Sequence, residues 1–389
     1  MTVRNYCIGA TLLVVSTIAE AATPAPAPSF TILQVPLPAN ATKYVSAAGI
    51  NNRGDIVGVF SDACCSGNPF VYYHASGSEV VFTGFNAGGI NDSDQVAGTI
   101  VNPTPQAVLW SKNGGVQTLP SIGGFTMASA VANNGDAVGS MDDGHSNGLA
   151  VMWSPRPTLH QIELGVLWSD PSFSDSGFSD AAAINNASHV TGSSSAGEGT
   201  DPETARSFGT HAFLFRNGKM QDLGALALSG TSADVSQGTG INNLDEVVGS
   251  STTAIPAVDP QGKPCADCGV ASHAFLWRAG KMQDLGDLAA IPGWDSMADS
   301  INDSGEIVGW SDSNVNGSST HRAFLYTGGQ MLNLQFYVNN RDPNVRLTEA
   351  IGINCQGSIV ANGFNTNTPN VSRIYLLTRR GAPRSQCGK

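Results

Sequence analysis

The sequence predicts an all-β fold, a seven-bladed β-propeller built from four-stranded antiparallel blades. A nine-residue phrase, Ile-Asn-Asn-x-Gly-x-x-Val-Gly, recurs seven times without an insertion or deletion, which is typical of a repeat array. Only 13% of the 389 residues are charged and 45 are glycine, a composition that favours β-strands joined by tight turns. The copies begin at Ile50, Ile90, Val131, Ile184, Ile241, Ile301 and Ile353.

The nine-residue phrase predicts a hairpin between the first two strands of each blade, strands a and b. Its Ile ends strand a, and the asparagines can hydrogen-bond the backbone of the turn that follows. The fifth residue needs a positive φ, which glycine adopts freely. That residue is Gly54, Gly135, Gly305 or Gly357 in four copies and Asp94, Ser188 or Asp245 in the others. The last glycine of the phrase, replaced by Ala361 in the final copy, indicates a close backbone approach in strand b.

A second phrase, Ala-Phe-Leu followed by an aromatic residue, lies downstream of each copy, as in Ala212–Phe215 and Ala274–Trp277. Apolar side chains on both faces predict a strand c that is buried on both sides. A glycine turn then leads to strand d, for which Lys219–Gly224 and Lys281–Gly286 are near-copies. Copies start between 40 residues (Ile50 to Ile90) and 60 residues (Ile241 to Ile301) apart, which matches propeller blades and exceeds one coil of a β-helix.

The two ends of the repeat array complement each other. Unit seven has a strand c near Ile374–Thr378 but no strand d after it, and Phe30–Val35 stands alone before unit one. We therefore expect Thr31–Val35 to pair with Arg373–Thr378 and to close a ring that spans residues 30–378, followed by a tail at 379–389. The alternative is an open solenoid, which needs no such pairing.

The N-terminus predicts export. Arg4, an apolar stretch from Tyr6 to Ile18 and Ala19-Glu20-Ala21 fit a signal peptide over residues 1–22, followed by a Pro/Ala-rich spacer at 23–29. An uncleaved anchor is the alternative, and no later segment is apolar enough to span a membrane. We expect a secreted or periplasmic monomer, and the net charge of −12 argues against nucleic acid as a partner.

Six of the seven cysteines remain after removal of the signal peptide, and an even number in an exported chain favours disulfides. We predict the pairs Cys265–Cys268 and Cys355–Cys387. A redox role for Cys265-Ala266-Asp267-Cys268 would need a helix N-terminus in a βαβ setting, which the pattern lacks. Zinc would need two further ligands nearby.

His211-Ala212-Phe213 and His273-Ala274-Phe275, with the degenerate copy Arg322-Ala323-Phe324, resemble the signature of the HAF-repeat family of probable extracellular proteins. The resemblance covers about residues 44–378, is strongest in units four to six, and includes the Gln-Asp-Leu-Gly phrase. It implies location and fold more than chemistry. Because the histidines recur by blade, we interpret them as structural, hydrogen-bonding a neighbouring loop, with catalysis or metal binding as the alternative.

Function is expected on the face that carries the b–c and d–a loops, because all length variation lies there. Trp168 and Trp294 fall in d–a loops and could stack on a sugar or a peptide, or pack between blades. Acidic residues crowd the same loops and could serve polysaccharide cleavage, although a solvated rim fits a charge cluster better. The acidic candidates on this face are Asp142, Asp143, Asp170, Asp175, Asp180, Asp201, Glu203, Asp295 and Asp312.

Asp312, Asn314 and Asn316 match the first half of a calcium loop, but Ala323 stands where the twelfth-position acid belongs, so an Asn/Gly-rich turn is the alternative. No other cofactor is expected. No HExxH or P-loop occurs in the chain, and no catalytic residue is assigned. The sequence therefore favours a binding module for carbohydrate or protein over an extracellular polysaccharide hydrolase or lyase, with a passive surface or matrix component as the third possibility.

Overall fold

The protein is described by a computed structural model that covers residues 27–381 with gaps. Residues outside the description are 1–26, 39–40, 42–43, 62–66, 83, 102, 122–123, 143–147, 169–176, 197–208, 228–233, 260, 264, 266–267, 290–291, 316–317, 340 and 382–389. The predicted signal peptide, most of the spacer and most of the C-terminal tail thus lie outside the described residues.

The strands form seven antiparallel sheets in which neighbours in sequence are neighbours in space, and six of these sheets have four strands. This confirms the predicted propeller. In order from strand a to strand d, blade one has β2 (Tyr44–Ile50), β3 (Ile56–Ser61), β4 (Asn68–Tyr73) and β5 (Ser78–Val81), and blade two has β6 (Asn86–Ile90), β7 (Val96–Ile100), β8 (Gln106–Ser111) and β9 (Gly115–Thr118). Blade three has β10 (Thr126–Val131), β11 (Ala137–Asp142), β12 (Gly148–Ser154) and β13 (His160–Gly165), and blade four has β14 (Ser179–Ile184), β15 (Val190–Ala196), β16 (Gly209–Arg216) and β17 (Lys219–Asp222). Blade five has β18 (Ser236–Ile241), β19 (Val247–Pro256), β20 (Val270–Arg278) and β21 (Lys281–Asp284), and blade six has β22 (Ser296–Ile301), β23 (Ile307–Val315), β24 (Ser318–Thr327) and β25 (Gln330–Asn333).

Blade seven combines both ends of the chain. It consists of β27 (Val345–Ile353), β28 (Ile359–Asn365), β29 (Thr368–Arg379) and, as its fourth strand, β1 (Phe30–Gln34). β1 runs antiparallel to β29 with Ile32 opposite Leu377, which confirms the predicted closure. A short strand that the sequence did not reveal, β26 (Val338–Asn339), follows the 3-10 helix η1 (Leu334–Phe336) and pairs in parallel with the outer edge of β1.

The hydrophobic core is divided into seven clusters, and each cluster fills the space between two adjacent blades. Strand c of each blade contributes side chains to the clusters on both sides of that blade, since alternate side chains of a strand point to opposite faces. Phe213 packs against blade three, whereas the next residue, Leu214, packs against blade five. The interface between blades seven and one has its own cluster, which contains Val45 and Leu376, so the ring is closed by packing as well as by strand pairing.

The a–b turns have the predicted backbone conformation. The fifth residue of the phrase has a positive φ in all seven copies, between 59° at Asp94 and 89° at Gly135, and Ser188 is among them at 64°. The turn therefore imposes this conformation even where glycine is absent, because Asp tolerates it and Ser is held in it by the surrounding bonds.

The repeated glycine of strand b lies against the backbone of strand a, as the sequence predicts. A Cβ built on Gly249 would lie 1.8 Å from the carbonyl oxygen of Gln237 in strand a. Blade seven tolerates Ala361 at this position because β27 has a second bulge, between Leu347 and Glu349, that changes the register of strand a. The tight approach moves two residues along the strand, where a Cβ on Gly363 would lie 2.1 Å from the Arg346 oxygen.

The part of the chain that the structure describes has no helix with the length and hydropathy of a membrane span.

Candidate ligand-binding face

The ring has two distinct faces. We call the face with the a–b and c–d turns the turn face, and the face with the b–c and d–a loops the loop face. The seven strands a stand around a central channel that connects the two faces. The two faces use their side chains differently, and this difference locates the candidate site.

The turn face carries a circle of hydrogen bonds from blade to blade. Asn51, the first asparagine of its phrase, is buried and its Nδ2 donates to the carbonyl oxygen of Asn91 in the next blade at 3.2 Å. The last blade returns to the first, since Asn354 Nδ2 donates to the Asn51 oxygen at 3.1 Å. The other donations are Asn91 to Ala132 (2.9 Å), Asn185 to Asn242 (3.0 Å), Asn242 to Asn302 (3.2 Å) and Asn302 to Asn354 (3.2 Å).

Blade three departs from this circle because its phrase has Ala132 in place of the first asparagine. A second bond replaces the missing one: Asn134 Nδ2 donates to Ser188 Oγ in blade four at 2.8 Å. The third residue of the phrase also connects these two blades, since the Asn133 N–H donates to Asn186 Oδ1 at 3.1 Å.

The third residue of the phrase forms an outer set of hydrogen bonds between blades. The Asn52 N–H donates to Asp92 Oδ1 at 2.7 Å, and Asn52 Nδ2 donates to Asp92 Oδ2 at 2.9 Å. Asn243 and Asp303 repeat this pair at 2.9 Å and 2.9 Å. These two sets of bonds surround a cavity of about 220 Å³ at the channel mouth, and its amide and carboxylate groups are largely engaged between blades. The turn face thus serves the ring itself.

The histidines of the His-Ala-Phe phrase hydrogen-bond strand d of their own blade. His211 Nδ1 donates to the Asp222 carboxylate at 2.9 Å, and His273 Nδ1 donates to that of Asp284 at 2.9 Å. Both acceptors lie in strand d of the same blade, in the Gln-Asp-Leu-Gly phrase, and not in a neighbouring loop. The two phrases therefore form one side-chain bond between strands c and d.

His273 has a second acidic neighbour. Asp287 Oδ2 lies 3.7 Å from His273 Nε2, and blade four has Ala225 at the position equivalent to Asp287. Burial lowers the pKa of His273, but the hydrogen bond and charge of Asp284 and the charge of Asp287 outweigh it, so this pKa is raised. Burial raises the pKa of Asp284, but the bonds from His273 and the Gly286 N–H leave it lowered.

The loop face exposes large apolar side chains where strands a begin. Tyr44 is 56% exposed, and Phe178 and Val235 occupy the same position in their blades, six residues before the end of strand a, with 40% and 37% exposure. Met127 of blade three adds a fourth at 41%. The turn face also has an exposed apolar residue, Leu244 at 67%, so a cavity on the loop face is needed to locate a site.

The groove that we take as the candidate site lies between blades seven and one on this face. It encloses about 420 Å³, within the usual size of a ligand pocket. Phe60, Phe364 and Pro369 supply apolar walls, and Tyr44 stands at the rim. Half of its 14 lining residues carry a hydroxyl, amide or carboxylate group: Tyr44, Ser46, Ser61, Thr348, Glu349, Asn362 and Ser372.

A hydrogen-bonded unit orients the polar wall of the groove. Asn362 Oδ1 accepts the Ala47 N–H at 2.9 Å, and its Nδ2 donates to Ser46 Oγ at 3.0 Å and to Glu349 Oε2 at 3.3 Å. The irregular register of blade seven, with its second bulge at Leu347/Glu349, places Glu349 here. Only Ala361 hinted at this irregularity in the sequence.

The predicted tryptophans lie apart from this groove. Trp294 is 5% exposed, so it offers no open ring to a ligand and packs inside the fold. Asp287 lies in the same loop, where its Oδ1 accepts the Ala289 N–H at 2.8 Å. Trp168 is half-buried, and its carbonyl oxygen accepts a hydrogen bond from Ser195 Oγ at 3.4 Å.

The predicted acidic residues are not brought together in one described cleft. Asp142 is half-buried at the end of strand b in blade three, and Asp295 is exposed in blade six, where its Oδ1 accepts the Ser272 N–H at 2.8 Å. Asp143, Asp201 and Glu203 lie outside the described residues. The groove residues were missed because their side chains meet only through the pairing of the two chain ends.

Two of the three residues of the predicted calcium loop, Asp312 and Asn314, are described by the structure. Both residues lie in the extended strand β23, with Asp312 opposite His321 and Asn314 opposite Ser319 of the same hairpin, and Asn316 lies outside the described residues. Asp312 Oδ1 is 3.4 Å from His321 Nε2. Within the described ranges, no group of three or more His, Cys, Asp or Glu residues is placed to hold a metal ion.

The predicted Cys265–Cys268 disulfide is present in the loop after β19. Cys355 is also disulfide-bonded, while Cys387, the partner predicted for it, lies outside the described residues.

No protein-family model and no curated protein matches this chain. The β-propeller domain of the Trilobed protease from Pyrococcus furiosus, which has an open velcro topology, is similar with a TM-score of 0.54 and 8% identity over 89% of this chain and 100% of that one. An acylaminoacyl peptidase from Pyrococcus horikoshii is similar with a TM-score of 0.51 and 11% identity, covering 88% of this chain and 52% of that one. This chain spans about half the length of that peptidase, and at such identities the likeness shows the fold alone.

Proposed function

We propose that this protein is an exported binding module that engages a carbohydrate on its loop face, in the groove between blades seven and one. The proposal rests on one observation: the groove joins aromatic walls to an ordered set of hydrogen-bonding groups. The export signal and the HAF-repeat resemblance support an extracellular or periplasmic setting, where polysaccharides are available as ligands.

The chemistry of the groove suits a sugar ring. Sugars present apolar C–H faces and a rim of hydroxyl groups, so they need both an aromatic surface and hydrogen-bonding partners. Tyr44 and Phe364 provide the first, while Glu349, Asn362 and Ser372 provide the second. Asn362 holds Glu349 in place through its 3.3 Å bond, and such preorganisation reduces the entropy lost on binding.

The packing of the ring beneath the groove supports ligand binding, because it fixes the position of the groove. The groove lies over the interface at which β1 closes blade seven, and the buried cluster beneath it includes Phe60 and Val45. A rigid base of this kind lets loop-face side chains keep their positions without a ligand.

The test is a glycan and polysaccharide screen with the mature protein that scores both retention and product release. Wild-type protein should retain at least one carbohydrate, and Tyr44→Ala should weaken that retention by about tenfold, as expected when an aromatic contact is lost. Phe178→Ala is the matched control, because Phe178 occupies the equivalent position in blade four, is 40% exposed and lies outside the groove.

The outcomes separate the functions that the sequence leaves open. Retention that Tyr44→Ala reduces and Phe178→Ala preserves supports the groove. Equal losses in both variants would place the ligand elsewhere on the face. Release of shortened products would replace the binding function with a hydrolase or lyase, and no retention of any carbohydrate would contradict the proposal.

A further inference from the structure

The central channel has an irregular wall that the binding groove does not explain. Each strand a has a β-bulge two residues before its last residue, where the pairing with strand b skips one position. The skipped residues are exposed to the channel instead, and they line a cavity of about 360 Å³. They are Ala48, Gly88, Ser129, Ala182, Thr239, Asp299 and Ile351.

Asp299 differs in kind from its six counterparts. Among the described residues that line this cavity, it alone carries a charge, while the other positions are small, hydroxylated or aliphatic. Its Oδ2 atom is buried and has no hydrogen-bond partner. A buried carboxylate oxygen without a partner is costly, so its presence calls for a compensating group, and none of the described residues supplies one.

The surroundings of Asp299 disfavour the ionised form of its carboxyl group. Burial and the nearby charge of Glu349 in the next blade both raise the pKa of Asp299 well above its usual range. Glu349 also lines the groove at the loop face, so the two carboxyl groups mark a path from that face into the channel. A positive charge placed beside Asp299 would offset both effects.

The other residues that line the channel cavity determine which kind of cation could bind beside Asp299. A divalent metal such as calcium requires six to eight oxygen ligands, usually with several carboxylates, and no described cluster offers them. Thr239 Oγ1 is already committed, because it donates to the Ala298 oxygen at 2.6 Å. An ammonium group needs one carboxylate and few further acceptors, and Ala48, Ala182 and Ile351 provide apolar contacts for an attached carbon chain.

We propose that the channel is a second binding site, one that takes a primary alkylammonium group and pairs it with Asp299. The group enters from the loop face past Glu349, and its carbon chain lies along the apolar part of the wall. This site stands independently of carbohydrate binding in the groove, since it uses different residues apart from Glu349 at the entrance.

Calorimetric titration with n-butylamine and 1,4-diaminobutane tests the proposal, with n-butanol as the uncharged control. Both amines should bind with one site per chain, and butanol should not. Asp299→Asn and Asp299→Ala should each weaken amine binding by about tenfold or more, because a charge-assisted hydrogen bond is lost. Asp299→Ala reproduces Ala182 of blade four, and Asp295→Asn is the control that removes an exposed charge from the same blade.

Wild-type protein supplies a readout that needs no variant. Because a cation favours ionised Asp299, amine binding should release a proton, and affinity should rise with pH as that carboxyl loses its proton. Glu349 is the charged group that acts on Asp299 from the neighbouring blade, and the amine itself stays protonated up to about pH 10. Glucosamine and Nα-acetyl-lysine amide, as further probes, distinguish an amino sugar from a lysine side chain as the source.

Three results would overturn the channel site: no binding of either amine, equal binding of butanol, or equal affinity in wild type and both folded Asp299 variants. Thermal unfolding of each variant establishes that it is folded. Loss of carbohydrate retention in Tyr44→Ala with intact amine binding would leave the two sites separate, so failure of one proposal is distinguishable from failure of the other.

Discussion

The turn face and the loop face belong to the same seven blades, but their side chains make different kinds of contact. On the turn face, the side-chain amides of Asn51 and its counterparts donate hydrogen bonds to the neighbouring blade. On the loop face, Tyr44 and Phe178 stand at equivalent positions and are exposed, and one junction opens into a groove. A repeat unit thus keeps its ring-forming side chains at one end and leaves the other end available for binding.

The comparison depends first on a closed ring, so the largest expected effect follows from weakening the closing strand. Phe30 in β1 is fully buried in the interface with blade six, and Phe30→Ala should lower the free energy of unfolding by about 3–5 kcal/mol. Urea denaturation measures this loss. Leu33→Ala in the same strand is the control, because Leu33 is 41% exposed and its truncation should have little effect.

The second effect concerns the tight approach of strands a and b. Gly249→Ala places a Cβ 1.8 Å from a backbone oxygen, so we expect a loss of about 3 kcal/mol from displaced backbone. Ala361→Gly, at the equivalent place in blade seven, should change the unfolding free energy by only about 1 kcal/mol. Equal losses in the two variants, measured by chemical denaturation, would show that the bulges of blade seven do not relieve this contact.

The circle of asparagines gives a smaller effect. Asn242 Oδ1 accepts the N–H groups of Leu244 and Glu246 at 3.0 Å and 3.0 Å, and its Nδ2 bridges to Asn302. Asn242→Ala should therefore lower stability by about 2 kcal/mol through unsatisfied buried groups. Ala132→Asn, which restores the missing amide in blade three, should leave stability unchanged or raise it by up to about 1 kcal/mol. A neutral Asn242→Ala variant would count against a structural role for the turn face.

The smallest effect depends on pH. The folded pKa of His273 is raised, so its pairing stabilises the fold fully below the unfolded pKa of about 6.5, and this contribution disappears as pH rises through the folded value. The pKa of Asp284 is lowered, so its contribution is present above its unfolded pKa of about 4 and is lost as pH falls through the lower folded value.

His273→Gln should therefore destabilise the protein most near pH 5.5, by roughly 1 kcal/mol because solvent screens the partly exposed Asp284, and less at pH 8.5. Denaturation curves at the two pH values check this. His211→Gln in blade four, where Ala225 stands in place of Asp287, is the matched comparison. A larger loss at pH 8.5 than at pH 5.5 for His273→Gln would contradict the charge assignment.

The sequence predicted the features of the fold that depend on residues close together in the chain or on the number of strands. The positive φ of Gly54 and Ser188 follows from a turn of fixed length, and the closure by β1 follows from counting strands at both chain ends. Strand c was recognisable because both of its faces are buried. These features depend on residues within one blade or on the number of blades.

Contacts between blades and between strands in the same blade were harder to foresee. The bond from His211 to Asp222 depends on the register of two strands, and the bond from Asn51 to Asn91 depends on the angle between two blades. Burial of Trp294 and the extended strand at Asp312 also depend on how the loops fold back. The position of Asp299 in the channel depends on a β-bulge, which has no signature in the phrase itself.

The central claim is that the loop face binds and the turn face holds the ring together. Carbohydrate retention by Tyr44→Ala and Leu244→Ala tests it directly, because Tyr44 and Leu244 are exposed apolar residues, 56% and 67%, on opposite faces. We predict that Tyr44→Ala loses retention by about tenfold and that Leu244→Ala retains it at the wild-type level. Loss in Leu244→Ala with full retention in Tyr44→Ala would contradict the claim.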